Sequence, residues 1–164
     1  MAGKQRYFSL MAGVGVDGAI VGGVGKREKQ LLKRWACGLS ALRVLWRWDR
    51  RMLRVYTSKE ELLCHSIIIS NAARYGGRFL LAPEQSLSLP SLTMLCITGR
   101  SRFTYVRLAL LLLLGRKPSG KGLRRFVARD LTVVGNKPVQ VDGDFAGCGP
   151  VEVGTVYGFA RIIR

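Results

Sequence analysis

Acidic residues are scarce in this 164-residue chain: ten Asp and Glu stand against 27 Lys and Arg, a formal net charge of +17. Such an imbalance is incompatible with a surface indifferent to polyanions and points to nucleic acid, an anionic membrane or a phosphorylated ligand. Histidine occurs once, as His65, and the four cysteines at 37, 64, 96 and 148 form no C-x-x-C pair. A zinc site is therefore not expected, and free thiols fit a reducing, cytosolic setting. Long apolar runs are missing too. The longest, Leu108 to Leu114, has seven residues between Arg107 and Arg116, where a helical membrane span needs about 20. Met1 to Arg6 lead into a short apolar stretch broken by glycines, which lacks the layout of a secretory signal. No repeat and no long linker is visible. A single domain is expected, and a 48% hydrophobic content suffices for its core.

What is present alternates between two periodicities. Tyr7 to Val21 (YFSLMAGVGVDGAIV) mixes β-prone residues with glycines and reads as a strand, a Gly-rich turn and a second strand. From Lys26 to about Trp48 the period changes. Leu32, Trp35, Leu39, Leu42 and Trp46 recur at steps of three and four, the mark of one helical face. Gly38 weakens or splits that helix. Arg43, Arg47 and Arg50 follow the same period beside the stripe, either as a solvated flank of a core helix or as an edge that meets lipid headgroups or phosphate. Strands are expected next at LRVYT, CHSIIISNA, RFLLAP and LTMLCIT. Phe103 to Leu114 returns to helix, and RFVARDLTVVG, KPVQVDGDF, PVEVG and VYGFARIIR read again as strands. Successive strands without intervening helices predict a mainly β fold: a two-layer antiparallel β-sandwich or distorted barrel with two inserted helices.

Several local patterns could carry chemistry. Gly13, Gly15 and Gly18 satisfy G-x-G-x-x-G, yet the following AIVGGVGK lacks helical character and no acid stands about 20 residues on, so a dinucleotide fold is not supported. Gly25-Lys26 is no P-loop, because Ile20 occupies the place of the first glycine and Arg27 that of Ser or Thr. Asp142-Gly143-Asp144 follows the alternating KPVQV, in which Val139 and Val141 face one way and Gln140 the other. Such a sequence makes a hairpin turn. Its two carboxylates could also hold Mg²⁺ or accept a hydroxyl proton. Asn71 to Pro83 (NAARYGGRFLLAP) places an amide at a strand end and a tight turn at Gly76-Gly77. His65 is read as a hydrogen-bonded strand residue rather than a base.

Taken in order, FSLMAGVGVDG, the basic helix, NAARYGGRFLLAP and KPVQVDGDFAGCGPVEV resemble the C-terminal domain of the diacylglycerol kinase and sphingosine kinase family of lipid kinases, bacterial members included. In that family the corresponding stretches are a strand with G-x-D, N-x-x-Y-G-G-G-x-x-x-A-P and V-Q-x-D-G-E-x-x-x-x-P. The resemblance covers nearly the whole of residues 1–164 and implies a lipid-binding β-sandwich. Its catalytic partner would be an N-terminal α/β domain with a G-G-D-G-T nucleotide loop, which this sequence does not contain. The resemblance therefore implies half an enzyme, as a truncated product, an expressed domain or one chain of a split kinase, with ATP and Mg²⁺ bound mostly through the missing domain. A separate nucleotide-binding domain or a second copy of the chain, as a homodimer, is the expected protein partner.

By this resemblance Asp142 is the proton acceptor from the lipid hydroxyl and Asp144 replaces the family's glutamate, one methylene shorter. Asp17 matches the position that faces the lipid headgroup, and Asn71 is a further substrate-binding candidate. Leu32, Trp35, Leu39 and Leu42 are candidates for the acyl-chain pocket, with ordinary core packing as the other reading. Arg43, Arg47, Arg50 and Arg78 would contact membrane or phosphate, Arg78 standing where the family has a third glycine. After Ala82-Pro83 and the following Glu84-Gln85, the sequence runs SLSLPSLTM in place of the family's acidic D-D-G-x-L-D turn, associated with Mg²⁺, so no metal ligand is assigned here. The expectation is an ATP-dependent lipid kinase domain, cytoplasmic and peripheral at the membrane, that phosphorylates diacylglycerol or a sphingoid-type lipid. A catalytically inactive lipid-binding module is the alternative. Nucleic-acid binding rests on charge alone, without a recognisable motif.

Overall fold

The computed structural model describes residues 5–25, 34–76 and 78–156, of which 34–37 are described by their backbone alone. In chain order the elements are β1 (Met11–Val14), α1 (Val16–Gly22), α2 (Arg34–Trp46), β2 (Leu53–Tyr56), β3 (Glu61–Cys64), β4 (Ser66–Ser70), β5 (Arg74–Tyr75), β6 (Phe79–Leu80) and β7 (Leu92–Ile97). After these come α3 (Arg102–Leu113), β8 (Leu123–Ala128), β9 (Asp130–Val134), β10 (Pro138–Val141), β11 (Asp144–Cys148) and β12 (Val151–Gly154). Six strands in the order β11-β10-β1-β4-β7-β8 form one sheet and four in the order β12-β9-β2-β3 form the other, with β5-β6 as a separate hairpin. The two sheets pack as an antiparallel sandwich rather than closing into a barrel.

Alternation along the strands decides which residues meet between the sheets. Ala12, Val14, Ile67, Ile69, Met94, Cys96 and Val139 of the large sheet meet Leu53, Val55, Leu62, Cys64, Leu131 and Val133 of the small one. On the outer face of the large sheet a second, smaller apolar cluster joins Ile68, Leu95 and Ile97 to Leu81 and to Leu108 of α3. That face is therefore buried as well, beneath α1, α3 and the β5-β6 segment, which explains why β4 and β7 read as unbroken hydrophobic runs.

The structure departs from the sequence reading at three places. Residues 16–22, expected as turn and strand, are helical. The helix lies so close on β10 that a Cβ at Gly18 would stand 2.2 Å from the Pro138 carbonyl oxygen. Only glycine permits that approach, so tertiary packing overrides the β preference of Ala19-Ile20-Val21. Three helices are thus present among the described residues where two were expected. RFVARDLTVVG forms two strands, not one: β8 pairs with β7 in the large sheet and β9 with β2 in the small one. The third departure concerns α2, continuous through Gly38 over Arg34–Trp46. It holds α1 through Ser40, whose hydroxyl donates to the Ile20 carbonyl at 2.6 Å, and its expected apolar stripe faces outward. Leu39 is exposed, Leu42 is 65% exposed and Trp46 85%. Leu32 and residues 157–164 of the last expected strand lie outside the described residues, as does the side chain of Trp35.

Candidate active site

Asp142 and Gly143 are the two central residues of the tight β10-β11 hairpin, with φ values of 47° and 87°, and Val141 pairs with Asp144 across it. Positive φ at both positions is the signature of a type I′ turn, which Asp-Gly favours. Besides turning the chain, Asp142 reaches across to the segment that enters β1. Its Oδ2 accepts from the Ser9 backbone N–H at 2.7 Å. Its Oδ1 accepts from Leu10 at 3.0 Å and Met11 at 2.8 Å. Three backbone donors hold this carboxylate in one orientation. Asn71, just after β4, grips the same segment from the other side: its Nδ2 donates to the Ser9 carbonyl at 3.0 Å, and its N–H to that of Leu10 at 2.8 Å.

Asp17 projects from the first turn of α1 back over β1. It is buried, and Gly13 makes room for it, because a Cβ there would stand 2.1 Å from Oδ2. Tyr75 of the β5-β6 hairpin donates its hydroxyl to Asp17 Oδ1. Gln140 donates its Nε2 to Oδ2 at 2.6 Å. The other end of that amide, Oε1, accepts from the Gly143 N–H at 2.8 Å. One buried glutamine thus couples the headgroup candidate Asp17 to the Asp142-Gly143 turn. Burial raises the Asp17 carboxyl above its ordinary range, against the opposing pull of the Tyr75 and Gln140 hydrogen bonds.

The structure therefore brings Asp17, Asn71 and Asp142 to one region around β1, together with Tyr75 and Gln140, which lie inside the quoted motifs but were not singled out. The alternation in KPVQV was the available signal for Gln140, since it placed that residue opposite Val139 and Val141. Asp144 begins the edge strand β11 and is exposed. Arg78 is exposed in the β5-β6 turn, its N–H donating to the Tyr75 carbonyl at 3.3 Å. Leu39 and Leu42 lie away from this region on the outer surface of α2. Among the described residues no group of three or more His, Cys, Asp or Glu is placed to hold a metal ion. The acids at the hairpin therefore do not by themselves make a Mg²⁺ site.

Arg43 and Arg47 line a cleft of about 750 Å³ between α1 and α2, together with Arg51 and Lys137. Arg50 is exposed and is not among its lining residues. His65 forms part of the floor, fully buried. Its Nε2 bonds the Asp49 carbonyl and its Nδ1 lies 2.7 Å from the Tyr105 hydroxyl. Since a carbonyl only accepts, Nε2 carries the proton and Nδ1 accepts. Burial lowers the tendency of the ring to charge, and Trp48 stacks on it at 4.9 Å and 11°. His65 is a hydrogen-bonded residue at the β3-β4 junction, as the sequence suggested.

Comparison with known structures places this architecture. A diacylglycerol kinase from Bacillus anthracis str. Sterne matches 93% of the chain at 12% identity with a TM-score of 0.59. Two further structures from the same organism, provisionally named as diacylglycerol kinases, each match 92% of the chain, at 15% and 11% identity with TM-scores of 0.62 and 0.58. The chain covers 48 to 51% of those proteins, about half their length. No curated protein sequence matches it. The family model of the YegS C-terminal NAD kinase β-sandwich-like domain matches residues 11–164, from the first residue of β1 through the hairpin that carries Asp142, and this chain belongs to that family of β-sandwich domains.

Proposed function

We propose that this domain is the lipid-binding, proton-accepting half of an ATP-dependent lipid kinase that phosphorylates a hydroxyl of diacylglycerol or a sphingoid-type lipid. The observation that carries the reading is the convergence of Asp17, Asn71, Tyr75, Gln140 and Asp142. They come from three separated motifs, yet they are joined through one buried amide and one clamped backbone segment. Phosphoryl transfer asks a protein mainly for positioning, and a carboxylate held by three amides is well positioned. In this reading the lipid hydroxyl gives its proton to Asp142 Oδ2 as its oxygen bonds to the γ-phosphorus of ATP and the bond to the ADP oxygen breaks. Asp17 orients the headgroup by hydrogen bonding. ATP and Mg²⁺ would be presented by the half of the relatives that this chain does not cover.

The outward stripe of α2 supports membrane contact. Leu39, Leu42 and Trp46 are exposed on α2, and on α3 Phe103 is 82% exposed and Leu113, with Leu114 just after it, is exposed. The two helices meet where Arg102 Nη2 approaches the Trp46 carbonyl at 3.4 Å. Apolar residues flanked by Arg43, Arg47 and Arg50 suit the headgroup boundary of an anionic bilayer, each cation contributing about 1 kcal/mol near the surface. The same surface would serve a catalytically silent lipid-binding module, and the assay separates the two. Labelled phosphate transfer from ATP to diacylglycerol, ceramide and a sphingoid base is measured in the full-length protein. Asp142→Asn is expected to lower kcat by about 10²-fold or more with the lipid KM little changed. Asparagine tolerates the same positive φ, so the turn survives. Wild-type protein that binds anionic vesicles but transfers no phosphate would leave only the binding module.

A further inference from the structure

We infer that the cleft between α1 and α2 is a phosphomonoester-binding site, separate from the Asp17-Asp142 constellation. Asp17 points from α1 toward β1, whereas Val16 and Ala19 line the cleft on another side of the same helix. Four cations, Arg43, Arg47, Arg51 and Lys137, border it, and among its described lining residues Asp49 is the one acid. That acid is already engaged: Arg51 bonds it with Nε at 3.0 Å and Nη2 at 2.9 Å.

Lys137 is the residue that asks for an anion. It is 2% exposed, yet it sits in the wall of an open cleft. Its Nζ donates to the His65 carbonyl at 2.9 Å, and the Asp49 carboxylate is 4.0 Å away. A buried ammonium is costly unless a negative charge stands close to it. The neighbouring carboxylate is shared with Arg51, so a dianion in the cleft would complete the compensation. Arginine and lysine on the same cavity supply the directed donors that phosphate oxygens accept. Beside Ser40 and His65, the remaining side chains of the walls, among them Val16, Ala19, Val44, Pro138 and the tryptophans at 46 and 48, are apolar. They suit a hydrocarbon or glyceryl portion attached to the phosphate. Trp46 also belongs to the exposed stripe of α2, so the cleft opens beside the surface proposed to meet the membrane. Two sources share this chemistry, a phosphomonoester lipid headgroup and free phosphate.

This inference does not depend on the kinase reading, because binding needs neither ATP nor transfer. Calorimetric titration of the full chain with dioctanoyl phosphatidate, dioctanoylglycerol and inorganic phosphate tests it. Phosphatidate is expected to bind at least about tenfold more tightly than dioctanoylglycerol. Arg47→Gln, on the exposed helix surface, should weaken binding about tenfold, as should Lys137→Met, which keeps the side-chain length. Thermal unfolding checks that each variant folds, and Arg47→Gln alone decides the matter if Lys137→Met does not. Inorganic phosphate binding as tightly as phosphatidate would support the site with free phosphate as its ligand, while a preference for phosphatidate assigns it to lipid. Equal affinity for phosphatidate and dioctanoylglycerol, no binding of either phosphate compound, or binding untouched by Arg47→Gln would overturn it.

Discussion

The two faces of the six-stranded sheet are built from the same strands and do opposite things. Toward the small sheet, Ala12, Val14, Ile67, Ile69, Met94 and Val139 are buried and apolar. On the other side of the same strands, beside the small apolar patch of Ile68, Leu95 and Ile97, stand Gly13, Ser66, Ser70, Thr93 and Gln140, where Gln140 reaches Asp17 and Ser66 accepts from the Val16 N–H at 3.0 Å. A strand turns successive side chains to opposite faces. The inner face is thereby free to specify packing while the outer one carries hydrogen-bonded polar groups. In this domain the buried polar groups around Asp17 lie on a sheet face beneath helices rather than on loops alone.

Removing packing on the inner face is expected to have the largest effect on stability. Ile69→Ala should cost about 2–5 kcal/mol, because it deletes transfer energy and leaves a cavity in a close-packed layer. A lowered urea midpoint with little change in lipid or phosphate affinity in the surviving folded fraction is the expected result. If instead affinity fell in parallel, the two faces would not be functionally separate.

Sandwich architecture was legible because hydrophobic alternation and turn residues are local signals, and most strand segments stand where those signals put them. The Asp142-Gly143 turn was legible for the same reason, and so was the ordered set of motifs that led to the family. Three features were not. Helix α1 depends on Gly18 meeting the Pro138 carbonyl, a contact 120 residues distant in sequence. The direction of α2 could not be read from its periodicity, which shows that a stripe exists but not whether protein or another apolar phase covers it. Lys137 looked like one cation among 27, and only the fold shows that it is buried. Local patterns carry secondary structure well, whereas long-range contacts decide which face is inside.

A change at Gln140 bears on how the outer face is held together. Gln140→Leu keeps the bulk but removes both ends of the bridge, leaving Asp17 Oδ2 and the Gly143 N–H without their partner. The buried Asp17 oxygen left unpaired costs about 1–3 kcal/mol, whereas the Gly143 N–H stands on an exposed turn where water replaces the glutamine. The loss should therefore be smaller than that of Ile69→Ala, and it should be accompanied by faster hydrogen exchange at the Gly143 amide. Unchanged exchange at Gly143 would mean that the turn is held by Asp142 and its three backbone donors alone. In that case the coupling between Asp17 and Asp142 would have no energetic content.

The gentlest probe of the outer face is its charge. Burial raises the Asp17 carboxyl above its ordinary value of 3.8, so the folded protein holds that proton more tightly than the unfolded chain. By linkage, this contribution to stability is fully present below about pH 4 and is lost as pH rises through the folded-state value. Asp17→Asn abolishes the titration while preserving the shape. Its carbonyl can still accept from Gln140 Nε2, and its amide can turn toward Tyr75, whose hydroxyl oxygen accepts as readily as it donates. The substitution should therefore cost about 1 kcal/mol or less near pH 4, and the decline in urea midpoint from pH 4 toward neutrality should flatten relative to the parent. An equally steep decline in the variant would show that some other group supplies the pH dependence. Asp17 would then be paired well enough to ionise without penalty, and the outer face would tolerate a buried charge as easily as the inner face tolerates its methyl groups.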